Sequence, residues 1–269
     1  VPVILSELSP AAKSMPEADA TPIPVSIVIP VFNEQDRIGD ALTAVWTYFH
    51  ELGTEAEIIV ADDGSSDNTT VIATAYASEH PGIRVLKLEH GGKAKAVLAG
   101  LRAARHPIAG FMDVDLATPL VTWEACRDAF ANGYDIAIAS REGKGAVRVG
   151  EPHYRHVMGR VFNGLVRLLL LPGIDDTQCG FKFFTAHALA TIIPRCRLYT
   201  EHDVTTRPRV TAFDVELLYV ARRQGLRSAI VPITWHYGAQ SKVNPVRDTI
   251  QNFRDVIAVR INGWRGRYD

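Results

Sequence analysis

The chain has 269 residues, 47% of them hydrophobic, enough to bury one substantial core but not several large ones. Its 29 Lys and Arg stand against 30 Asp and Glu, and a formal charge of -1 gives no global attraction to nucleic acid, so none is expected as a partner. Cys126, Cys179 and Cys196 lack the paired spacing of a metal site and cannot all pair within one chain, which predicts a reducing, cytoplasmic setting. No run reaches the ~20 uninterrupted apolar residues that span a bilayer.

Residues 1–23, rich in Ala, Pro and Glu, read as a flexible arm, and 24–269 as a single domain. Val25 to Val31 and Glu57 to Ala61 are short β-branched runs of the kind that form strands buried on both faces. Between them Ile38, Leu42, Val45 and Phe49 recur at helical spacing. A strand over Ile83 to Leu88 precedes a helix carrying Val97, Leu98 and Leu101. Ile108 to Met112 precedes another, for which Thr118 predicts the N-cap and Pro119 the first turn. This alternation predicts an α/β fold with a largely parallel sheet, helices on both faces and ligands at the carboxyl ends of the strands. Further on, the pattern gives a helix through Val157 to Leu171, a loop from Asp175 to Gly180, a strand over Phe181 to Phe184 and a short helix ending near Ile193. A polar insertion over 195–211, a helix from Phe213 to Gln224 and a strand over Ser228 to Ile233 follow. The last element is an amphipathic helix whose apolar stripe is Val246, Ile250, Phe253 and Ile257.

The first strand runs into Pro30-Val31-Phe32-Asn33-Glu34 rather than the glycine-rich turn of a dinucleotide site, which argues against that ligand. The second ends in Asp62-Asp63, with Asp67 opening a helix; a capped turn and a carboxylate accepting a base N–H both fit. The fourth ends in Asp113-Val114-Asp115, where side-chain alternation aims both carboxylates to one side. Two such groups can hold a hard cation, Mg2+ or Mn2+, which bridges diphosphate oxygens well. His90-Gly91-Gly92-Lys93 opens a helix, either as a plain start or as a phosphate seat on free backbone N–H groups, without the spacing of a Walker loop.

In this order VIPVFNE (28–34), ADDGSSD (61–67), GGKAKA (91–96) and MDVD (112–115) resemble glycosyltransferase family 2. SR (140–141), GRVFN (159–163), DTQCGFKFF (176–184), FDVELL (213–218) and SK (241–242) are similar to its dolichyl-phosphate glucose synthase branch. The resemblance spans roughly residues 24 to 260. It implies the GT-A fold, with a nucleotide-binding half over 24–116 and an acceptor half over 117–269 that ends in the amphipathic helix. It implies non-processive, inverting transfer of a hexose, glucose first, from a UDP-sugar donor to a polyprenyl or dolichyl phosphate acceptor. The nucleotide-sugar is then expected on Pro30, Phe32, Glu34, Ala61, Asp63, Lys93, Asp113, Val114 and Lys242, the metal on Asp113 and Asp115, and the acceptor near Arg141, Arg155 and Lys182. Ala117 stands where mannose synthases of the family carry Gln, and no Gln-x-x-Arg-Trp motif of a processive polymerase occurs.

Asp115 is the metal-side catalytic candidate. For Asp176, Asp214 and Glu216 a structural and a catalytic role stay equally open, because a phosphate acceptor with a second pKa of about 6 is already anionic and needs no general base. Two other readings keep the same motifs: a soluble hydroxyl acceptor, and a nucleotide-sugar-binding module without turnover. From Arg141 to Arg167 six cations (Arg141, Lys144, Arg148, Arg155, Arg160, Arg167) face two anions (Glu142, Glu151), and an apolar run follows. Together with the arginines of the closing helix, this fits either peripheral contact with an anionic membrane or a Val161 to Leu171 helix packed into the core whose arginines coat a soluble face.

Overall fold

The computed structural model describes residues 3–4, 23–199, 212–237 and 245–269, with the side chains of 3–4, 155 and 245–250 excepted. In chain order the first half comprises β1 (Val3–Ile4), β2 (Val25–Val31), α1 (Ile38–Glu51), β3 (Ala56–Asp62), α2 (Thr69–Glu79), β4 (Ile83–Lys87), α3 (Lys93–Ala103) and β5 (Ile108–Met112). The second half comprises α4 (Thr122–Ala131), β6 (Ile136–Ser140), β7 (Val147–Val149), α5 (His153–Leu169), β8 (Phe181–Thr185), α6 (Ala186–Ile192), α7 (Phe213–Arg223), β9 (Ser228–Pro232), β10 (Thr234–His236) and α8 (Pro245–Trp264). Eight strands form one sheet in the order β1-β9-β6-β8-β5-β2-β3-β4, and β7 pairs with β10 in a small second sheet. Among the described residues only β8 runs antiparallel to its neighbours in the large sheet, pairing Met112 with Phe181 and Ile138 with Lys182.

Apolar side chains alternate across the strands and divide the core into two layers. Val25, Ile27, Ile29 and Val31 of β2 join α1 and α4 on one face. Val28 joins α3, α6, α7 and α8 on the other. Helix α3 sits so close to β2 that a Cβ on Gly100 would lie 2.3 Å from Val28 Cγ1, so the approach requires glycine there. The three cysteines are buried and unpaired with one another.

Three sequence expectations are corrected. Val3 and Ile4 of the expected arm pair in parallel with Ala229 and Ile230, so this part of the arm extends the sheet. The helix after β5 starts at Thr122, not at Thr118-Pro119; Pro119 lies in a turn whose carbonyl accepts from Thr122 N (3.0 Å). The intervening loop, with Leu116 at φ 50°, carries the carboxylates out beyond β5 before helix can form. Helix α8 is turned away from its apolar stripe: Val256, Val259, Asn252, Asp255 and Asn262 are buried, whereas Phe253 and Ile257 are exposed. Asp255 fixes that rotation by accepting from Ala212 N (3.0 Å) and the Tyr199 hydroxyl (2.5 Å), and Gly263 lies against the Tyr219 ring. Val246 and Ile250 belong to the side chains outside the described residues.

Candidate active site

The carboxyl ends of β2, β3, β5 and β6 lie along one edge, and the polar residues that follow each strand gather there. Beyond β2, Asn33 adopts φ 53° and its side chain accepts from Ser66 N (2.8 Å), while Ser65 Oγ accepts from Asn33 N (3.0 Å). Glu34 N donates to Thr69 Oγ1 (2.8 Å). These bonds tie the segment carrying Pro30, Phe32 and Glu34 to the turn after β3. Phe32 stacks on His90 at 4.2 Å between ring centroids. Asp63 is buried and accepts from His90 Nδ1 (2.7 Å), Gly91 N (2.8 Å) and Gly92 N (2.8 Å). Its carboxylate therefore anchors the glycine turn that opens α3, and Ala61 is fully enclosed within the sheet.

Lys93 begins α3 and places Nζ 2.5 Å from Asp113 Oδ1. Desolvation works against the ammonium, but the Asp113 and Asp214 carboxylates overcome it and raise the Lys93 pKa. Asp115 accepts from Ala117 N (3.1 Å), and burial followed by the charge of Asp113 pushes its carboxyl above the usual range. Two carboxylates that repel one another, with a lysine ammonium already drawn to one of them, suit a bound divalent cation. Gly180 admits this geometry: a Cβ there would fall 1.9 Å from Asp113 Oδ2. Among the described residues no third His, Cys, Asp or Glu joins the pair, so the remaining ligands would be diphosphate oxygens and water.

A pocket opens beside this pair, lined among others by Asp113, Asp115, Arg141, Gln178, Gly180 and Trp235. A larger concavity of about 680 Å³ lies at the opposite edge of the sheet, between Trp46, Glu57, Arg84 and Arg105, remote from Asp113 and Asp115. The strand-end carboxylates line the smaller pocket. Arg141 reaches it with one guanidinium edge fixed: Nε and Nη2 donate to Asp176 at 2.7 and 2.9 Å, and the Arg141 backbone N–H adds a third bond (2.9 Å). Burial opposes the Asp176 charge, but Arg141 holds the carboxyl well below the usual range. Its guanidinium carbon is 5.3 Å from the Trp235 ring centroid. Asp176 thus orients Arg141.

Lys182 lies beneath the pocket rather than in an acceptor groove. It is fully buried, donates to Asp214 (2.8 Å) and to the Cys179 carbonyl (2.5 Å), and sits 5.4 Å from the Phe111 ring centroid. Burial raises the Asp214 carboxyl despite Lys182 and Lys93. Glu216 does not join the cluster. It accepts from Arg197 N (2.8 Å), Leu198 N (3.0 Å) and the Tyr268 hydroxyl (2.7 Å), which binds the segment after α6 and the chain end to α7. The Arg155 side chain and Lys242 lie outside the described residues. Trp235 is not read from sequence, and His90 and Gln178 stand there only inside the HGGK and DTQCG motifs, without a role of their own.

A pair of carboxylates on the ligand edge of a largely parallel sheet, with a lysine at a helix start and no glycine-rich turn after the first long strand, fits a nucleotide-sugar transferase of GT-A architecture. Residues 26–192 match the model of glycosyl transferase family 2, and the chain belongs to that family. It is a glycosyltransferase. The dolichyl-phosphate beta-glucosyltransferase of Dictyostelium discoideum is 31% identical over 88% of this chain and 73% of that protein. The Saccharomyces cerevisiae protein of the same name is 30% identical over 97% and 82%. Among solved structures, glucosyl-3-phosphoglycerate synthase of Mycobacterium tuberculosis with Mn2+, UDP and glucosyl-3-phosphoglycerate superposes with a TM-score of 0.61 at 20% identity, over 95% of this chain and 82% of that one. Mannosyl-3-phosphoglycerate synthase of Rubrobacter xylanophilus gives 0.65 at 18%, over 91% and 76%. These likenesses establish the fold.

Proposed function

We propose that the chain transfers glucose from UDP-glucose to a polyprenyl or dolichyl phosphate with inversion at the anomeric carbon, using Mg2+ or Mn2+ held by Asp113 and Asp115. The observation that carries this reading is that the carboxylates left open by sequence are all committed. Asp176 is held by Arg141, Asp214 by Lys182, and Glu216 by the tail. A hydroxyl acceptor needs a carboxylate to take its proton. A phosphate monoester, with a second pKa of about 6, arrives as a nucleophilic anion. The names of the curated relatives support the same acceptor and sugar.

The metal would stabilise charge on the departing diphosphate as a Lewis acid. Lys93 adds a positive charge beside Asp113, and the N–H groups of the first turn of α3 that follow Gly91 and Gly92, whose own N–H groups bind Asp63, favour a phosphate oxygen. Arg141, with one edge pinned by Asp176, turns its remaining N–H groups toward the acceptor phosphate, where planar donors bind strongly.

The lipid tail accounts for a second surface. On α5 Val157, Val161 and Leu168 are exposed, the last two by 70% and 81%, and on α8 Phe253, Ile257, Ile261 and Trp264 are exposed. The two helices are in contact. Apolar rows that face outward on adjoining helices suit the headgroup boundary of a membrane. The cation excess read from sequence is reduced by folding, because Arg141 is bound to Asp176, and Arg148 to Glu142 and Glu151. Arg160, 3.6 Å from Glu142, and Arg254 stay exposed beside the apolar rows. Among the described residues no helix is long and apolar enough to cross a membrane.

The test is UDP release from UDP-glucose with Mn2+ and either a short polyprenyl phosphate or the matching free alcohol. Release with the phosphate and not with the alcohol is expected; equal release with both would overturn the acceptor assignment.

A further inference from the structure

The pocket beside the metal pair contains two side chains that the metal, the nucleotide and the acceptor phosphate leave unused. Gln178 lies in the loop between α5 and β8. Its backbone N–H donates to Asp176 Oδ1 (3.3 Å), which fixes the residue on the same carboxylate that orients Arg141. Its side-chain amide makes no hydrogen bond among the described residues, although it lines the pocket. Trp235 comes from β10 and lines the same pocket. Its ring is held by three neighbours: the Arg141 guanidinium at 5.3 Å, the Arg148 guanidinium at 5.8 Å and the Tyr237 ring at 5.9 Å. Arg148 is itself paired with Glu142 (3.0 Å) and Glu151 (2.7 Å). The Trp235 indole N–H, like the Gln178 amide, has no hydrogen-bond partner among the described residues.

A carboxamide offers both a donor and an acceptor, which is what a sugar hydroxyl needs. An indole offers a flat apolar surface and one N–H, which suits a pyranose ring with its C–H face and rim of hydroxyls. Both stand within one pocket with Asp113 and Asp115, where the anomeric carbon of a metal-bound sugar diphosphate would lie. Pockets that discriminate small ligands are built in this way, from an aromatic wall and a few fixed polar groups.

We propose that Gln178 and Trp235 form the hexose subsite, the Gln178 amide reading a ring hydroxyl and the Trp235 indole seating the pyranose, and that they set the choice of sugar. This rests on the donor reading given above. Galactose differs from glucose by the direction of one hydroxyl, and a site that hydrogen-bonds a hydroxyl strongly rejects an analogue that leaves its polar groups unpaired. Asp176 then has two tasks: it orients Arg141 toward the acceptor and Gln178 toward the donor sugar.

The experiment compares wild type with Gln178→Ala, Trp235→Leu and Trp235→Phe. UDP affinity is measured by calorimetry with Mn2+, and kcat/KM is measured for UDP-glucose and UDP-galactose. UDP affinity is expected to stay within about twofold, because the uridine and diphosphate contacts are untouched, whereas kcat/KM for UDP-glucose falls about tenfold or more in Gln178→Ala and Trp235→Leu. The glucose-to-galactose ratio collapses in Gln178→Ala, and Trp235→Phe retains most of the wild-type KM. Unchanged sugar discrimination in both Gln178→Ala and Trp235→Leu overturns the subsite. Parallel loss of UDP affinity also overturns it, since the residues would then merely support the pocket. A wild type that releases no UDP from any UDP-hexose removes the donor reading itself, a result separate from the other two.

Discussion

Glu216 gives the chain a pH-dependent stability that Glu216→Gln should abolish. Burial raises its carboxyl from the ordinary 4.5 to about 7, against the pull of Arg197 N, Tyr268 Oη and Leu198 N. Below 4.5 folded and unfolded chains both carry the proton. Between 4.5 and 7 the folded chain keeps it and the unfolded chain releases it, so stability falls as pH rises through this window and the loss is complete above about 7. At about 1.4 kcal/mol for each pH unit separating the two pKa values, the loss is on the order of 3 kcal/mol. A glutamine is neutral throughout, and its Oε1 can accept the three bonds now made to Glu216 Oε1. The difference in unfolding free energy between Glu216→Gln and wild type should therefore shift by about 3 kcal/mol in the variant's favour between pH 4.5 and 8. Urea titrations across that range read it directly, and other titrating groups cancel in the difference. A difference independent of pH would refute the reasoning, because Glu216 would then be charged in the folded chain at every pH tested.

Asp115→Ala is expected to lower metal-dependent sugar transfer at least about a hundredfold while leaving the melting temperature near wild type, read by UDP release and circular dichroism. Lys182→Met strands Asp214 in the core and should destabilise the chain by about 3–5 kcal/mol, whereas Lys182→Met with Asp214→Leu recovers much of the loss in denaturant titration. Gly180→Ala forces a methyl against the Asp113 carboxylate and should weaken Mn2+ binding measured by calorimetry in the presence of UDP. Asp176→Asn frees Arg141 from its charged partner; the KM for polyprenyl phosphate should rise about tenfold with UDP affinity unchanged.

The strand tips were legible because β-branched runs buried on both faces announce a parallel sheet, and such a sheet fixes the edge at which Asp113 and Asp115 emerge. Lys182 was not legible. A lysine between phenylalanines reads as a polar position, and its enclosure depends on Asp214, which arrives from a helix 32 residues further along. Helix α8 misled for the opposite reason: hydropathy assigns Phe253 and Ile257 to the core, yet the buried hydrogen bonds of Asp255 decide the rotation. Trp235 left no signal, since a strand of three residues is too short to show a period. Glu216, two residues from Asp214 in one motif, faces another part of the molecule because successive helix positions point about 100° apart.

The reversed direction of β8 sets how the outward-facing helix is tied to Asp113. Since β8 enters the sheet at the ligand edge, the chain leaving α5 reaches Gly180 in the short stretch from Leu170, passing Asp176 and Gln178 on the way. Gly180 then hydrogen-bonds Asp113 N through its carbonyl (3.1 Å). Helix α5 and Asp113 are thus successive links of one short tether, and a tilt of that helix is felt at Asp113 through the chain to Gly180 and one hydrogen bond rather than through the core. Where α5 rests on a lipid surface, the same tether would make the set of the helix part of the alignment of donor and acceptor.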